Sequence, residues 1–524
     1  LWCSVYCVDA ETGKYSTLSS VAYVEFHSSQ GLEERVKLPM IEGRGCGRLQ
    51  IPLDFATGNY LLVAYTGKYG GDSKGPFNGK IVSVYNTVTA EKVPGGVELA
   101  EQPDAIVEPV QYGMLQVVAR VQGDAVPVRV ENLSGRRVSL DVSVFHFDEL
   151  ERQAIWSGSF PGPLTERGGE FEVTDFVDYA GEVIRIRVTP QKWSPNWYKG
   201  VYVYMSAKGN EDDLYVGRVD SLGFVTYYTN NVSGNKDLMI EVVDNVTQSA
   251  RLKDYGQEVQ RYSVELVERE YRHIPGEIPV LKLHEGMGKV LQTRNIRMQI
   301  TRRFDADSLF DLMPMRVSSY LGATQGVRYR LDDYTRFPVM EDVVREYVAY
   351  LRVRSVDGKR VLKVVNQDGT DFAWSIKGEA LALLDGVPVR DQEKIINMDP
   401  LLVKEIVVYP RQIVLNHFVY DGVVKFNTYK GDMGGVQMGE NFCTVPHKGV
   451  QYPLAFLGSG IADNVAYPNY NTTLYWNPLV DLEPGGVFEF SCPLPKYKGK
   501  FKIAVEGLDS GGEPIYRETI VTNE

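Results

Sequence analysis

The sequence predicts a mainly β protein, with several tandem immunoglobulin- or macroglobulin-like β-sandwiches and one small α+β domain. Segments such as Ser20–Ser29 and Asn59–Lys68 alternate apolar and polar residues with a period of two, as strands with one buried face do. The 32 Tyr and 50 Gly favour strands that are joined by tight turns. Only the region from about 281 to 440 adds helical spacing to this strand pattern, which is why one α+β domain is expected there.

Length and turn signals divide the 524-residue chain into five predicted domains. The stretch Val97–Pro109 is polar and bounded by proline, so it is predicted to be a linker. The first segment begins in mid-strand, and we expect an upstream part to be missing. The predicted domains are sandwiches at 1–97, 108–190, 191–275 and 441–524, and an α+β domain at 281–440.

An internal repeat connects the two ends of the chain. Pro52 precedes Gly58 by the same spacing with which Pro493 precedes Gly499, and an aromatic residue follows each glycine. In both copies we expect a strand to end near the proline and a new strand to begin at the glycine. A repeated module is the favoured interpretation, although any β-hairpin shares part of this pattern.

Ala380–Tyr409 predicts a compact α+β unit. An apolar strand leads into Asp385-Gly386, a typical two-residue hairpin turn. Asp399-Pro400 supplies an N-cap and a first helical proline for a short helical turn that precedes the strand IVVY.

Two further elements are predicted just upstream of this unit. Apolar residues of the stretch PVMEDVVREYVAYL, which begins at Pro338, recur with helical spacing. Asp357-Gly358 then predicts a hairpin.

Charge and cysteine content limit the functional classes. The net charge of −12 argues against binding to nucleic acid, because a phosphate backbone attracts a basic surface. No run of eighteen apolar residues predicts a membrane-spanning helix, and no signal peptide is visible. Cys3 and Cys7 share a strand face but lie about 13 Å apart, too far for a disulfide. Buried free thiols are expected; one long-range pair of Cys46 with Cys3 or Cys7 is the alternative.

The sequence contains no catalytic or metal-binding motif, so no catalytic residue, cofactor or metal is predicted. His-Glu-x-x-His, Gly-x-Ser-x-Gly and the phosphate-binding Gly-x-x-x-x-Gly-Lys-Ser/Thr are all missing. His27 lies in a strand, where packing is the expected role. Acidic groups at Glu211–Asp213 and Asp332-Asp333 are expected in solvated turns, as is the pair Asp368 and Asp371, for which a weak Ca²⁺ site is an alternative.

Aromatic residues cluster at the start of the third predicted sandwich. Trp193, Trp197 and Tyr198 surround Pro195. They are interpreted either as a platform for sugar rings or a protein partner, or as a structural staple at the edge of the domain.

The stretches LALLDGVPVRD, DPLLVKEIVVY and GVVKFNTYKGD together resemble the plug domain of TonB-dependent outer-membrane receptors. Only about 90 residues follow Asp432, too few for a barrel whose strands each take about ten residues. The resemblance therefore implies an isolated plug-like module and not a transporter. The residues that carry it are Asp385, Gly386, Pro388, Asp399, Pro400 and Gly422.

The stretches VAYVEFHSSQG, GRLQIPLDFATGNYLLVAYTGKYG and TTLYWNPLVDLEPGGVFEFSCPLP resemble MG2-type macroglobulin-like sandwiches. Together the resemblances imply a family of Gram-negative envelope proteins that joins such domains to a carboxypeptidase-regulatory-like domain, here 191–275, and a plug-like domain. RGCGRLQ around Cys46 lacks the Glu and Gln of the thioester motif of protease-trapping macroglobulins, so covalent trapping is not expected.

Two functional hypotheses follow. In the first, the chain is a non-catalytic interaction or scaffold protein of the periplasm or outer membrane, and its plug-like module docks an outer-membrane, secretion or uptake partner. In the second, it is a glycan-binding or polysaccharide-processing accessory protein that uses Trp193, Trp197 and Tyr198.

Overall fold

The computed structural model describes residues 1–9, 12, 14–66, 79–101, 110–150, 178–207, 214–230, 232–244, 260–267, 278–303, 310–312, 325–356, 358–366, 375–376, 380–415, 418–456 and 470–524. The predicted mainly β fold with tandem sandwiches is confirmed. None of the helices within these ranges has the length and apolar character needed to cross a membrane.

Strands and helices are numbered in chain order. The strands are β1 Trp2–Tyr6, β2 Val21–Ser28, β3 Gly31–Ile41, β4 Arg44–Arg48, β5 Gly58–Thr66, β6 Gly79–Val84, β7 Val97–Leu99, β8 Leu115–Ala119, β9 Ala125–Asn132, β10 Val138–Phe147, β11 Val183–Pro190, β12 Val201–Ala207, β13 Leu214–Arg218, β14 Phe224–Tyr228, β15 Asn235–Asp244, β16 Tyr262–Val267, β17 Leu281–Leu283, β18 Phe310–Leu312, β19 Val327–Arg330, β20 Leu351–Val356, β21 Lys359–Asn366, β22 Ser375–Ile376, β23 Leu381–Leu384, β24 Val387–Pro388, β25 Val403–Tyr409, β26 Ile413–Leu415, β27 Phe418–Tyr420, β28 Val423–Thr428, β29 Phe442–Lys448, β30 Leu454–Phe456, β31 Thr473–Leu482, β32 Val487–Pro493, β33 Gly499–Asp509 and β34 Pro514–Asn523. The α-helices are α1 Met287–Arg303, α2 Met340–Tyr347 and α3 Glu393–Ile396.

The chain forms two compact units. Unit 1 contains Leu1–Gly181, Arg269–Met315 and Val450–Glu524, and unit 2 contains Glu182–Glu268 and Arg316–Gly449. Each unit therefore combines segments that are distant in sequence.

The N-terminal sheet of unit 1 has six antiparallel strands in the order β1-β4-β3-β2-β5-β6. Residues of β1, β2, β3, β5 and β6 pack in a shared core around Phe26 and Tyr60, whose rings stack. The alternating pattern of β2 predicted one buried face, but this was wrong, because every residue of β2 is buried. Its second face packs in another cluster with Tyr65 and Val450, a residue from far along the chain.

The second sandwich of unit 1 combines two segments that were predicted to lie in separate domains. Its sheets are β31-β10-β33-β34 and β32-β9-β8, and they enclose one core. Both strands predicted to open the repeat begin at their glycines, Gly58 in β5 and Gly499 in β33. The preceding strand ends at Pro493 in the second copy but already at Arg48 in the first.

Two features of unit 1 differ from the sequence expectations. Val97–Leu99, predicted as linker, pairs in parallel with Leu281–Leu283. Helix α1 was not predicted, because its sequence has no apolar stripe; Met287 is its one buried residue among those described. It is attached by polar contacts: Arg294 donates two hydrogen bonds to the Asp148 carboxylate, and the Arg297 guanidinium lies 3.6 Å from the ring centre of Tyr497.

Unit 2 stacks three β layers. Sheets β14-β11-β16 and β13-β12-β15-β29 enclose one core, which forms the third sandwich. The outer face of the second of these sheets packs, through Tyr204 and Val243, on the five-stranded sheet β19-β25-β28-β23-β24. The opposite face of that five-stranded sheet is covered by α2 and α3.

Local predictions for the α+β region agree with these elements. The predicted hairpin turn joins β20 to β21, and Val356 pairs with Lys359. The predicted helix exists but ends at Tyr347, and Leu351 already begins a strand. Asp399 caps a 3₁₀ turn at Pro400–Leu402, and its side chain accepts a hydrogen bond from the Leu401 amide.

Gly422 directly precedes β28 and has a φ of 139°, in the region that favours glycine. A Cβ there would lie 2.6 Å from Cβ of Val364. We expect Gly422→Ala to lower the free energy of unfolding by about 2–5 kcal/mol, from backbone strain and overpacking together. Gly358→Ala is the matched control, because Gly358 also has a positive φ of 79° but faces open space. Urea denaturation of both variants measures the difference, and equal losses would contradict the proposed clash.

Candidate interaction site

Asp385 joins three parts of the α+β region. It occupies the turn between β23 and β24 with φ 50°, and Gly386 follows with φ 84°, as a type I′ turn requires. Its carboxylate accepts hydrogen bonds from the Thr428 amide at 2.7 Å, the Thr428 hydroxyl at 2.6 Å and the Met433 amide at 2.8 Å. The turn thereby fixes the end of β28 and the loop that follows it.

Arg336 holds the capped turn at Pro400 against the same loop. One guanidinium nitrogen donates to the carbonyls of Pro400 and Val403 at 2.9 and 3.1 Å. The other donates to the Tyr429 hydroxyl at 2.8 Å and to Asp332 at 2.5 Å. Hydrogen bonds from Tyr429 and Arg336 lower the pKa of Asp332, so this carboxylate stays charged near neutral pH. Asp332, which the sequence predicted in a solvated turn, is therefore hydrogen-bonded to both Arg336 and Tyr429.

Three large apolar or aromatic side chains project from this network. Leu401 is 61% exposed, Tyr429 is 49% exposed and Leu402 is 41% exposed. The Tyr429 amide donates to the Leu402 carbonyl, which brings the two segments together. We call Leu401, Leu402 and Tyr429 the Leu401 surface. Its backbone is rigidly supported, a property that suits a protein-binding surface better than a catalytic one.

Further hydrogen bonds connect other segments of the α+β region. Buried Gln392 accepts from the Leu362 amide at 2.5 Å and donates to the Ala380 carbonyl at 2.8 Å. Pro388 pairs with Leu383 at the end of the sheet, and the Leu381 amide donates to the Gly422 carbonyl. Of the residues that carry the plug resemblance, Asp385, Gly386, Asp399 and Pro400 lie near the Leu401 surface. Pro388 and Gly422 instead contact the five-stranded sheet through Leu383 and Leu381.

The three residues of the predicted aromatic platform do not form one exposed surface. Trp197 packs on the core of the third sandwich and lies 6.0 Å, ring centre to ring centre, from Tyr262. Tyr198 packs on the same core and meets Trp197 edge to face. Trp193 is 75% exposed, and within the described ranges no ring contact joins it to Trp197. Trp197 and Tyr198 therefore act as the structural staple, while Trp193 remains available to a ligand.

A buried charged cluster in the N-terminal sheet was missed. Glu25 accepts from the Tyr65 hydroxyl at 2.6 Å and from Arg35 at 2.8 Å, and its other oxygen lies 2.8 Å from Nε2 of His27. Burial opposes ionisation of Glu25, but the hydrogen bonds from His27 and Tyr65 and the charge of Arg35 outweigh it and lower the pKa. The available signal was the Glu-x-His spacing, which places both side chains on one strand face.

The remaining predicted positions fall outside a common site. Glu211–Asp213, Asp368 and Asp371 lie outside the described residues. All five thiols are free. Cys46 lies opposite Ser4 in the β1–β4 pair and Cys3 lies opposite Gly47, so the two thiols are on different faces of the sheet. Across the described ranges, no group of three or more His, Cys, Asp or Glu side chains is placed to hold a metal ion.

Comparison with known proteins shows only distant structural similarity. No protein-family model and no curated protein matches the chain. Trypsin-activated α-2-macroglobulin from Escherichia coli is similar over 99% of this chain and 40% of that chain, with 9% identity and a TM-score of 0.22. A Salmonella α-2-macroglobulin mutant is similar over 100% of this chain and 38% of that chain, with 8% identity and a TM-score of 0.22. The elastase-activated Escherichia coli protein is similar over 100% of this chain and 42% of that chain, with 10% identity and a TM-score of 0.23. The chain thus spans about two fifths of these structures, and TM-scores of this size do not assign it a shared fold or a function.

Asp385→Asn tests the role of the Asp385 carboxylate. Asn retains the positive φ of the turn but replaces one acceptor oxygen with a donor, which leaves the Thr428 hydroxyl or the Met433 amide without its partner. We expect a loss of about 1–3 kcal/mol in the free energy of unfolding and faster amide exchange at Met433. Asp399→Ala is the control, because it removes one cap hydrogen bond and should lose about 1 kcal/mol without affecting Met433.

Proposed function

We propose that the chain is a non-catalytic interaction protein of the bacterial cell envelope, and that the Leu401 surface docks another protein. The observation that supports this is the convergence of the plug-like sequence signature on one exposed apolar surface with a bonded framework beneath it. The sandwiches then serve as spacers that present the surface.

The chemistry of the Leu401 surface suits a partner that offers an apolar groove with a polar rim. Leu401 and Leu402 supply the apolar centre, while Arg336, Asp332 and Lys404 lie at its edge. Interfaces of this kind bind through a few central side chains, and charged rims mainly set orientation. The proposed partner is an outer-membrane protein or a secretion or uptake complex.

Site-specific photo-crosslinking tests this proposal. A benzophenone amino acid in place of Leu401 should crosslink to an envelope protein from a Gram-negative cell, and Leu401→Asp should weaken binding of the captured protein at least about tenfold, since a charge replaces a central apolar contact. Val414 is the matched control, because it is a 63% exposed valine on β26 of the same unit. Equal crosslinking from both positions, or none from either, would argue against docking at the Leu401 surface.

A second candidate function is glycan binding through Trp193. Its exposed indole lies at the same end of the third sandwich as Leu222, which is 76% exposed, because the Leu222 turn packs beside Trp197. Aromatic side chains of this kind stack on sugar rings. In calorimetric titrations with envelope polysaccharides, Trp193→Ala should abolish any heat of binding, whereas Tyr228→Ala, an exposed aromatic on β14 of the same sandwich, should not. Binding that is unchanged in Trp193→Ala would eliminate this platform.

A further inference from the structure

Strands β1 and β4 meet the outer face of the sheet β31-β10-β33-β34 in what we call the N-terminal seam. Ser4 Oγ donates to Asp141 Oδ2 at 2.6 Å, and Trp476 Nε1 donates to the same oxygen at 3.0 Å. Arg44 forms two hydrogen bonds with Asp481, at 2.9 and 3.0 Å. The seam is thus held by polar contacts between side chains of four strands, β1, β4, β10 and β31.

Asp141 lies in an environment that disfavours its charged form. Glu506 is its direct partner in the β10–β33 pairing, so the two carboxylates share one face of the sheet. Within the described ranges no Lys or Arg forms an ion pair with Asp141, since Arg44 is bound to Asp481. Burial raises the pKa of Asp141 to about 7; the hydrogen bond from Ser4 opposes this shift and the charge of Glu506 adds to it.

The other groups at the seam keep one charge state across the neutral range. Burial raises the pKa values of Tyr15 to about 12 and of Cys46 to about 11, so both stay neutral. Burial opposes ionisation of Asp481, but hydrogen bonds from Ser139 and Arg44 lower its pKa. The ionisable groups whose charges act on Asp141 are Cys3 and Tyr6 of β1, Cys46 of β4, Lys80 of β6 and Glu506 of β33. Arg44, Asp481 and Tyr15, from the loop that precedes β2, interact with one another at the same seam.

We propose that the contact of Asp141 with Ser4 and Trp476 is a proton-controlled latch, which holds the N-terminal seam closed when Asp141 is neutral and loosens it when Asp141 ionises. Opening hydrates the carboxylate, while Glu506 remains its neighbour in the β10–β33 pair. The latch would let the N-terminal sheet respond to pH independently of unit 2.

The direction of the pH effect follows from proton binding. Because the pKa of Asp141 in the closed seam, about 7, is above that of a solvated carboxyl, the closed state binds the proton more tightly than the open state. Closure is favoured at pH 5 and weakens as the pH rises through about 7. Between pH 5 and pH 8 the closing equilibrium should fall by up to about 100-fold.

Hydrogen exchange of the full chain, resolved by peptide and corrected for the intrinsic pH dependence of exchange, tests the latch. Protection of β1 and β4 should fall by up to about 100-fold from pH 5 to pH 8 in the wild type. In Asp141→Asn the protection should stay high and nearly independent of pH, because the amide oxygen can still accept from Ser4 and Trp476 but carries no charge. A local readout is needed because burial also raises the pKa of Glu241, in unit 2, to about 7, so global melting would mix two groups.

Two further variants separate the latch from a merely structural contact. Asp481→Asn removes the Arg44 ion pair and should lower protection at every pH without changing the slope. Glu506→Gln removes the like charge and should shift the midpoint to lower pH, which keeps the proposal testable if Asp141→Asn fails to fold.

The alkylation rate of Cys46 provides a second measurement. Its ratio between wild type and Asp141→Asn, taken at each pH with Cys492 as the internal reference, should follow the same profile. A wild-type pH dependence in Asp141→Asn, an unshifted midpoint in Glu506→Gln, or equal wild-type protection at pH 5 and pH 8 would overturn the latch.

Discussion

Coverage of both faces of the central sheets is the constraint on which the rest of this structure depends. β2 is buried throughout, and the five-stranded sheet of unit 2 has helices on one face and another sheet on the other. A strand buried on both sides leaves no solvated face for its polar residues, so each must find a partner inside the protein. The contacts of Glu25 with His27 and of Asp141 with Ser4 are two outcomes of that requirement.

The same constraint explains which parts of the fold could be read from the sequence. Turn and cap chemistry is local, so Asp385-Gly386 and Asp399-Pro400 predicted their turns correctly, and the predicted hairpin of β20 and β21 is present. Coverage of a second face depends on distant segments, and alternation in β2 could not reveal that Val450 packs on it. Helix α1 has no apolar stripe, and its attachment through Arg294 and Arg297 depends on Asp148 and Tyr497, which are distant in the sequence.

At the candidate site, too, the sequence predicted local features, and only the structure shows the contacts between distant residues. Sequence motifs located Asp385, Asp399 and Pro400, but only the structure shows that Arg336 connects Pro400 to Tyr429 and that Leu401 is exposed. For the aromatic cluster the sequence left two interpretations, and the burial of Trp197 and Tyr198 separates them from Trp193. Exposure is a property of the assembled surface, and residue type alone could not predict it.

The pairing of β10 has a consequence for how the polypeptide is made. Its neighbours in the sheet are β31 and β33, and 335 positions separate Asp141 from Trp476. A ribosome synthesises the first half of this sandwich long before the second half exists, and non-local pairing of this kind folds slowly. Until then the apolar side of β9 and β10 stays uncovered, which makes the nascent chain dependent on a chaperone or on delayed collapse. Removal of the last fifty residues would therefore uncover the apolar side of β8, β9 and β10, which are far away in the sequence.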